Sequence, residues 1–382
     1  MADVDYEIRG RAGLITLNRP KALNALSLGM VRTLTQVLLE WSEHSGIDLV
    51  AIRGMGKDPS APSGSAPFGA FCAGGDIRFF HQAALAGDPA LEDFFTEEYA
   101  LNHLVHRFPK PYLVFMDGIV MGGGMGIAGH GAKHSLRIAT ERTKMAMPET
   151  NIGLFPDVGG GWFLARCPGR IGEYLALTGQ VIDGAAAMTA GLADGVVASA
   201  DLPGVWESLA TRGVVGLSNL RGRMGPTPEL LLAPNRAAID RVFGLSDVRA
   251  IIAALEADTA ADTADWARDT AAALRKRSPL MLHVVLEQVR RARTMTLAED
   301  LRMERGLVRQ CFHLRHGSAS ETVEGIRALA VDKDHAPRWN PARIEDVTQQ
   351  MVMAYFEGVW PAHAHPLKEL GVDQDPNQPR SD

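Results

Sequence analysis

The run YLVFMDGIVMGGGMGIAG at residues 112–129 sets the tightest limit on how this chain can fold. It is the most membrane-like stretch present, yet Asp117 and the six glycines after it interrupt its apolar character. A spanning helix tolerates such interruptions poorly. Bulky apolar residues followed by glycine suit a buried strand, a tight turn and the start of a small-residue helix. The segment is therefore expected inside an α/β core.

Its neighbours carry the same signature. GLITL at 13–17 and DLVAIRG at 48–54 are short apolar runs bounded by glycine, as buried strands tend to be. Between them Ser27 can cap a helix in which Met30, Val31, Leu34, Val37, Leu38 and Trp41 recur at helical spacing. KPYLVFMDGIV is a further strand candidate. Alternation of strands and helices predicts an α/β domain over residues 1–210. Segments near 246–276, 280–293, 297–315 and 319–330 show helical periodicity without strand signal, so residues 211–365 are expected to be all-helical. The Pro-, Asp-, Asn- and Gln-rich residues 366–382 read as a disordered tail. KDPSAPSGSAPFGA at 57–70 reads as a loop, either a surface insertion or a lid.

Composition narrows the function classes. Apolar residues at 46% and charged ones at 22% over 382 residues describe a globular protein of two or three domains. A net charge of -6 with no long basic run argues against nucleic acid as a partner. Cys72, Cys167 and Cys311 lie far apart, which suggests neither a disulfide framework nor a zinc site and fits a reducing compartment. The first ten residues, MADVDYEIRG, lack the basic and apolar segments of a targeting peptide, so the cytoplasm is the expected location.

Three motifs could carry chemistry. Gly124, Gly126 and Gly129 match a GxGxxG dinucleotide fingerprint, but they extend a glycine run deep in the domain rather than at its first strand-helix turn, so NAD binding is the weaker reading. What survives is a helix N-terminus with bare N–H groups beside a strand end, suited to an anion or a developing oxyanion. AFCAGGD at 70–76 is either a simple turn in which Asp76 caps a helix or a second loop of that kind. The third, AMPETNIGLFPDVGGG at 146–161, places Glu149 and Asp157 each after a proline among apolar and glycine residues. Either both are first-turn helix acids, or they are desolvated carboxylates whose raised pKa suits a base or nucleophile near neutral pH. Signatures of serine, zinc and nucleoside-triphosphate chemistry are missing, and His103 with His106, or His363 with His365, read as surface or packing residues rather than metal pairs.

Taken together, ITLNRPKALNALS at 15–27, AFCAGGDI at 70–77, GIVMGGGMGIA at 118–128 and MPETNIGLFPDVGGG at 147–161 resemble the ordered motifs of the enoyl-CoA hydratase/isomerase (crotonase) superfamily. The resemblance implies an α/β fold, a crotonase-like spiral of ββα units that binds acyl-CoA. It implies that the backbone N–H groups of Gly75 and Gly123 polarise the thioester carbonyl. Lys21, Ala22, Asn24, Ala73, Gly74 and Asp76 then line the CoA site, mostly through backbone. CoA enters as part of a small-molecule substrate, with no further cofactor and no metal, and a homo-oligomer is a possible assembly.

Hydratases of the superfamily are expected to use two glutamates, one shortly after the glycine run and one after the later proline. Here the first position is Gly126 and the second is Glu149, while Asp157 stands eight residues on, where hydratases typically have glycine. With EEYALN at 97–102, PETNIGLFPDVGGGWFL at 148–164 and EGIRALAVDKDHAPRWNPARIEDV at 324–347, the pattern is similar to the branch that hydrolyses 3-hydroxyisobutyryl-CoA. By that resemblance Glu149 attacks the thioester carbonyl or activates water, Asp157 positions water or Glu149, and Glu98 binds the substrate's 3-hydroxyl. 3-Hydroxypropionyl-CoA is a second candidate substrate, and hydration or isomerisation of another acyl-CoA is the alternative activity.

Overall fold

The computed structural model describes residues 2–57, 65–224 and 235–371. The strands are β1 (Val4–Arg9), β2 (Ala12–Leu17), β3 (Leu49–Lys57), β4 (Ser65–Gly69), β5 (Tyr112–Met116), β6 (Ile119–Met121), β7 (Ser135–Ala139), β8 (Lys144–Ala146) and β9 (Gly195–Val196). The main sheet runs in the order β1-β2-β3-β5-β7-β9, with β4 added to β3, and is parallel from β2 onward. A second, two-stranded parallel sheet pairs β6 with β8.

Strands β2, β3 and β5 are continuous apolar runs because both of their faces are covered. Ile15, Val50, Ile52, Tyr112 and Val114 face the large core, while Leu14, Leu49, Ala51, Leu113 and Phe115 face a smaller one. The helices of this part are α1 (Leu28–Glu43), α2 (Ile77–Ala86), α3 (Ala90–His106), α4 (Gly123–Gly126), α5 (Gly160–Ala165), α6 (Ile171–Thr178), α7 (Gly184–Thr189), α8 (Leu202–Arg212) and α9 (Gly216–Arg221). Helix α1 starts where Ser27 accepts a hydrogen bond from Met30 N, and it buries the six residues expected from its periodicity. Helix α8 closes the smaller core with Val205, Trp206 and Leu209.

Among the described residues after β9 the chain is helical: α10 (Arg236–Phe243), α11 (Val248–Glu256), α12 (Ala264–Leu274), α13 (Pro279–Ala292), α14 (Leu297–His313), α15 (Glu321–Ile326) and α16 (Gln349–Met353). Helix α14 opens with a capping box between Thr296 and Glu299. Its apolar face, with that of α13, joins the same large core as α1 and α3, so the helical part closes over the α/β part through shared side chains.

Two expectations need correction. Of the 57–70 segment, residues 65–69 are not loop but β4, paired antiparallel with the end of β3 across a register shift, and residues 58–64 lie outside the described residues. Residues 366–371 do not fray: Leu367 is buried and Arg302 donates to Leu370 O at 2.7 Å. The rest of that tail lies outside the described residues.

Candidate active site

Two glycine turns are brought side by side by backbone ladders. On one side of loop 70–76, Ala73 N donates to Leu23 O, Leu26 N to Gly74 O and Asp76 N to Leu26 O, at 2.8–3.0 Å. On the other side, Cys72 N donates to Ile119 O and Met121 N to Cys72 O. Leu26 makes both bonds of its parallel bridge with Gly75, which leaves the Gly75 N–H on the opposite side. Strand β6 ends at Met121; the next residue, Gly122, has a φ of 49° and ψ of −123° that suit only a residue without Cβ, and α4 begins directly after it. The Gly123 N–H is thus a first-turn donor with no intrahelical partner. Gly75 N lies 3.4 Å from where a Cβ on Gly123 would stand. Two backbone donors side by side are the geometry of an oxyanion cradle.

Three buried carboxylates gather here: Glu98 and Glu149 stand against this turn, and Asp157 lies close enough to act electrostatically on both. Helix α3 delivers Glu98: a Cβ on Gly123 would fall on Glu98 Oε1, which has no hydrogen-bond partner among the described residues. Glu149 comes from the segment after β8, which pairs in register with β6, so the residues beyond the two strand ends meet. It opens a one-turn 3₁₀ helix (Glu149–Ile152) in which its carbonyl accepts from Gly153 and Leu154 N–H. Glu149 Oε1 lies 2.8 Å from where a Cβ on Gly122 would stand, and its Oε2 is unpartnered. Asp157 Oδ2 accepts from the Tyr99 hydroxyl at 2.9 Å. The exposure of Glu98, Glu149 and Asp157 is 2%, 6% and 6%, low enough that burial governs their protonation.

Burial first, and then the charges of Asp157 and Glu149, hold the Glu98 carboxyl well above its ordinary range. Glu149 is raised in the same way by burial and by Asp157. Asp157 is pushed up to about 7 by burial, with the Tyr99 hydrogen bond pulling the other way. The three titrate as one coupled group that retains protons near neutrality. Cys72 lies next to this site, but burial raises its thiol to about 12 and its Sγ contacts the Asn24 carbonyl at 3.2 Å, so it is no ready nucleophile.

The wall behind α4 bears on which reaction the site can run. A Cβ on Gly126 would stand 2.6 Å from Val158 Cβ and 2.8–2.9 Å from both amide atoms of Asn102. The space a glutamate at that position would need is therefore filled.

The other expected site residues divide. Lys21 is exposed, Ala22, Ala73 and Asp76 are half-buried and Gly74 is buried; the last three are on loop 70–76, and Lys21 and Ala22 on the segment that hydrogen-bonds to it through Leu23 and Leu26. Asp76 caps α2 by accepting from Phe79 N and pairs with Arg19 at 2.9 Å. Asn24 cannot offer its side chain to a ligand. It has no exposure, its Nδ2 lies 2.9–3.1 Å from Met55, Ala70 and Phe71 carbonyls, and its Oδ1 accepts from Arg19 N. The first-turn reading holds for Glu149 but is corrected for Asp157, since α5 begins only at Gly160 and the Asp157 carboxylate bonds Tyr99. His103 and His106 are half-buried and lowered to about 4, mainly by desolvation. Among the described residues no group of three or more His, Cys, Asp or Glu could hold a metal.

Sequence reasoning missed Tyr99 and Asn102. Asn102 lies four residues from Glu98 and three from Tyr99 on the buried side of α3, spacings that could have flagged it, whereas Tyr99, next to Glu98 in the chain, carries no such signal. A groove of about 760 Å³ lined by Arg78, His81, Gln82 and Lys333 runs along α2 and contains none of the three acids.

Comparison with known proteins places this geometry in context. The sequence profile of the enoyl-CoA hydratase/isomerase family matches residues 12–356. A rat protein named mitochondrial 3-hydroxyisobutyryl-CoA hydrolase is 38% identical over 94% of this chain and 89% of its own. An Arabidopsis thaliana protein named probable 3-hydroxyisobutyryl-CoA hydrolase 3 is 37% identical over 94% and 92%. Among solved structures, a carnitinyl-CoA dehydratase from Mycobacterium thermoresistibile superposes with a TM-score of 0.83 at 38% identity, over 94% of this chain and 98% of that one. An enoyl-CoA hydratase from Rhodobacter sphaeroides gives 0.81 at 36% identity with the same coverages. No helix among the described residues is long and apolar enough to cross a membrane.

Proposed function

The chain belongs to the enoyl-CoA hydratase/isomerase family, and from that premise we propose that it hydrolyses the thioester of 3-hydroxyisobutyryl-CoA to the free hydroxy acid and CoA. One observation carries the choice among the family's reactions. The position of the first hydratase glutamate is Gly126, walled off by Val158 and Asn102, while Glu149 stands against the Gly122 turn with Asp157 close enough to raise its pKa.

The carbonyl oxygen of the thioester sits between the Gly75 and Gly123 N–H groups, which stabilise the charge that develops there. Loss of one such donor has cost about 2.7–4 kcal/mol elsewhere. When the proton of the coupled acids resides on Asp157, the Glu149 carboxylate is free to attack the carbonyl carbon. The C–S bond breaks, CoA leaves as thiolate and takes the Asp157 proton, and Glu149 is left as a mixed anhydride. Water, deprotonated by the now ionised Asp157, then adds to the Glu149 carbonyl carbon of the anhydride, which releases the hydroxy acid as its carboxylate; Glu149 returns to a carboxylate as one proton passes to solvent. Glu98, kept protonated by burial, binds the substrate's 3-hydroxyl.

A second reading, hydration or dehydration, is favoured by the names of the two superposed structures. A thiol-release panel over saturated, unsaturated and 3-hydroxy acyl-CoAs, with crotonyl-CoA hydration measured alongside, separates the two. Glu149→Gln is expected to fold normally and to lose about 10²–10⁴-fold in turnover. Single turnover in ¹⁸O-water should leave label in Glu149, and an unlabelled enzyme would replace the anhydride by a general-base route. The cytoplasm expected from the sequence stays part of this proposal beside animal relatives named as mitochondrial, and subcellular fractionation decides.

A further inference from the structure

Asp157 sits at the start of a turn whose conformation its own residues disfavour. Val158, the next residue, is β-branched and fully buried, yet its φ is +57°, in the left-handed region that side chains of its shape avoid. Such a conformation persists only where its surroundings over-determine it. Four side chains from distant parts of the chain do so. Glu304, on α14, takes the Gly159 N–H on Oε2 at 2.7 Å and the Gly161 N–H on Oε1 at 2.9 Å. Asp300, one turn earlier, takes the Trp162 N–H at 2.8 Å. His130 Nε2 lies 2.7 Å from the Val158 carbonyl, which can only accept, so that nitrogen carries the hydrogen. Gln288 Nε2 donates both to Pro156 O at 2.7 Å and to Glu304 Oε1 at 3.0 Å. The residues on either side of Asp157 are thus pinned, while its carboxylate is left to Tyr99 and the site.

We propose that Glu304 is a positioning residue for Asp157: by gripping the Gly159 and Gly161 N–H groups, and with His130 holding the Val158 carbonyl, it keeps the left-handed turn that aims Asp157 at the Gly122–Gly123 cradle. The helical C-terminal part thereby completes a site whose reacting groups all belong to the α/β part. The inference rests on the reading of Asp157 as a group that acts in thioester hydrolysis.

The test uses the full chain with 3-hydroxyisobutyryl-CoA. In Glu304→Gln the side chain offers one acceptor oxygen to two N–H groups, so one of them faces an NH₂. The kcat is expected to fall at least about ten-fold with KM within about three-fold, a loss of transition-state rather than ground-state interaction. Glycine adopts the left-handed conformation without strain. In a Val158→Gly background the same change should therefore cost at least about three-fold less in kcat, a coupling that general destabilisation does not produce. Turnover of Glu304→Gln within two-fold of the parent, or equal losses in both backgrounds, overturns the proposal. If Glu304→Gln does not fold, His130→Phe removes the N–H but keeps a ring to stack on Phe163. It should lower kcat at least about five-fold, and unchanged turnover there also overturns the proposal. Asp157→Asn run alongside separates the two readings, since full turnover in that variant refutes the role of Asp157 itself rather than that of Glu304.

Discussion

Replacing Asp157 by asparagine should make the protein more stable and less active, and the gain should depend on pH in a specific way. Burial raises the Asp157 carboxyl from its ordinary value of 3.8 to about 7. Between those values the unfolded chain has shed a proton that the folded chain keeps. Stability therefore falls as pH rises through the window, and the loss is complete above about pH 7. At about 1.4 kcal/mol per pH unit, the full cost of carrying the charge is on the order of 4 kcal/mol. Asparagine has no charge to bury and its Oδ1 can still accept from the Tyr99 hydroxyl. Part of the gain arrives through Glu98 and Glu149, which the Asp157 charge also raises. Urea unfolding of both proteins at pH 4.5, 5.5, 6.5 and 7.5, at constant ionic strength, should give a charge-linked stability difference of only about 1 kcal/mol at the acid end that grows in favour of the variant as pH rises. A difference that is flat with pH, or one that favours the parent at pH 7.5, would refute the assignment of a raised pKa to Asp157. Thioester turnover at pH 7.5 should fall about 10²–10⁴-fold in the same variant.

Gly126→Glu should not install hydration of crotonyl-CoA. Its Cβ would collide with Val158 and Asn102, and chemical denaturation should show a loss of at least about 3 kcal/mol from overpacking and an added buried charge. Tyr99→Phe removes the hydrogen bond that lowers the Asp157 carboxyl, so the acid limb of the kcat/KM profile should move to higher pH, and an unmoved limb would separate Tyr99 from the titrating group. Asn24→Ala should cost about 2–4 kcal/mol by leaving buried carbonyls unpaired, with KM for the acyl-CoA within about three-fold. A ten-fold rise in KM at unchanged stability would instead make Asn24 a ligand contact.

Which parts of this molecule could be read from residues alone follows the range of the interactions that decide them. Helix α1, its Ser27 cap and its buried face depend on neighbours three and four residues apart, and periodicity located all of them. The turn at Gly122 is equally local, since glycine there answers to a φ and ψ set by one residue. The pairing of Glu149 with Asp157 was legible as an anomaly, two acids in surroundings too apolar to solvate them. Their roles were not, because a proline before each acid also suits the first turn of a helix. The side chain of Asn24 was illegible for a related reason, as it lies in a motif expected at a ligand while its amide serves three backbone carbonyls 31 to 47 positions away.

By itself the sequence determined the alternation of strands and helices, the glycine turn that frees a backbone donor, the helical second part and the presence of Glu98, Glu149 and Asp157. Only the tertiary structure decided what those acids can do. The pKa of a carboxylate depends on what excludes water from it. Here Tyr99 lies 58 positions from Asp157, and Glu304 lies 145 from the Gly159 it grips. Val158 holds a conformation its side chain disfavours because four remote groups hold its neighbours, and no local pattern records a constraint imposed from that far along the chain.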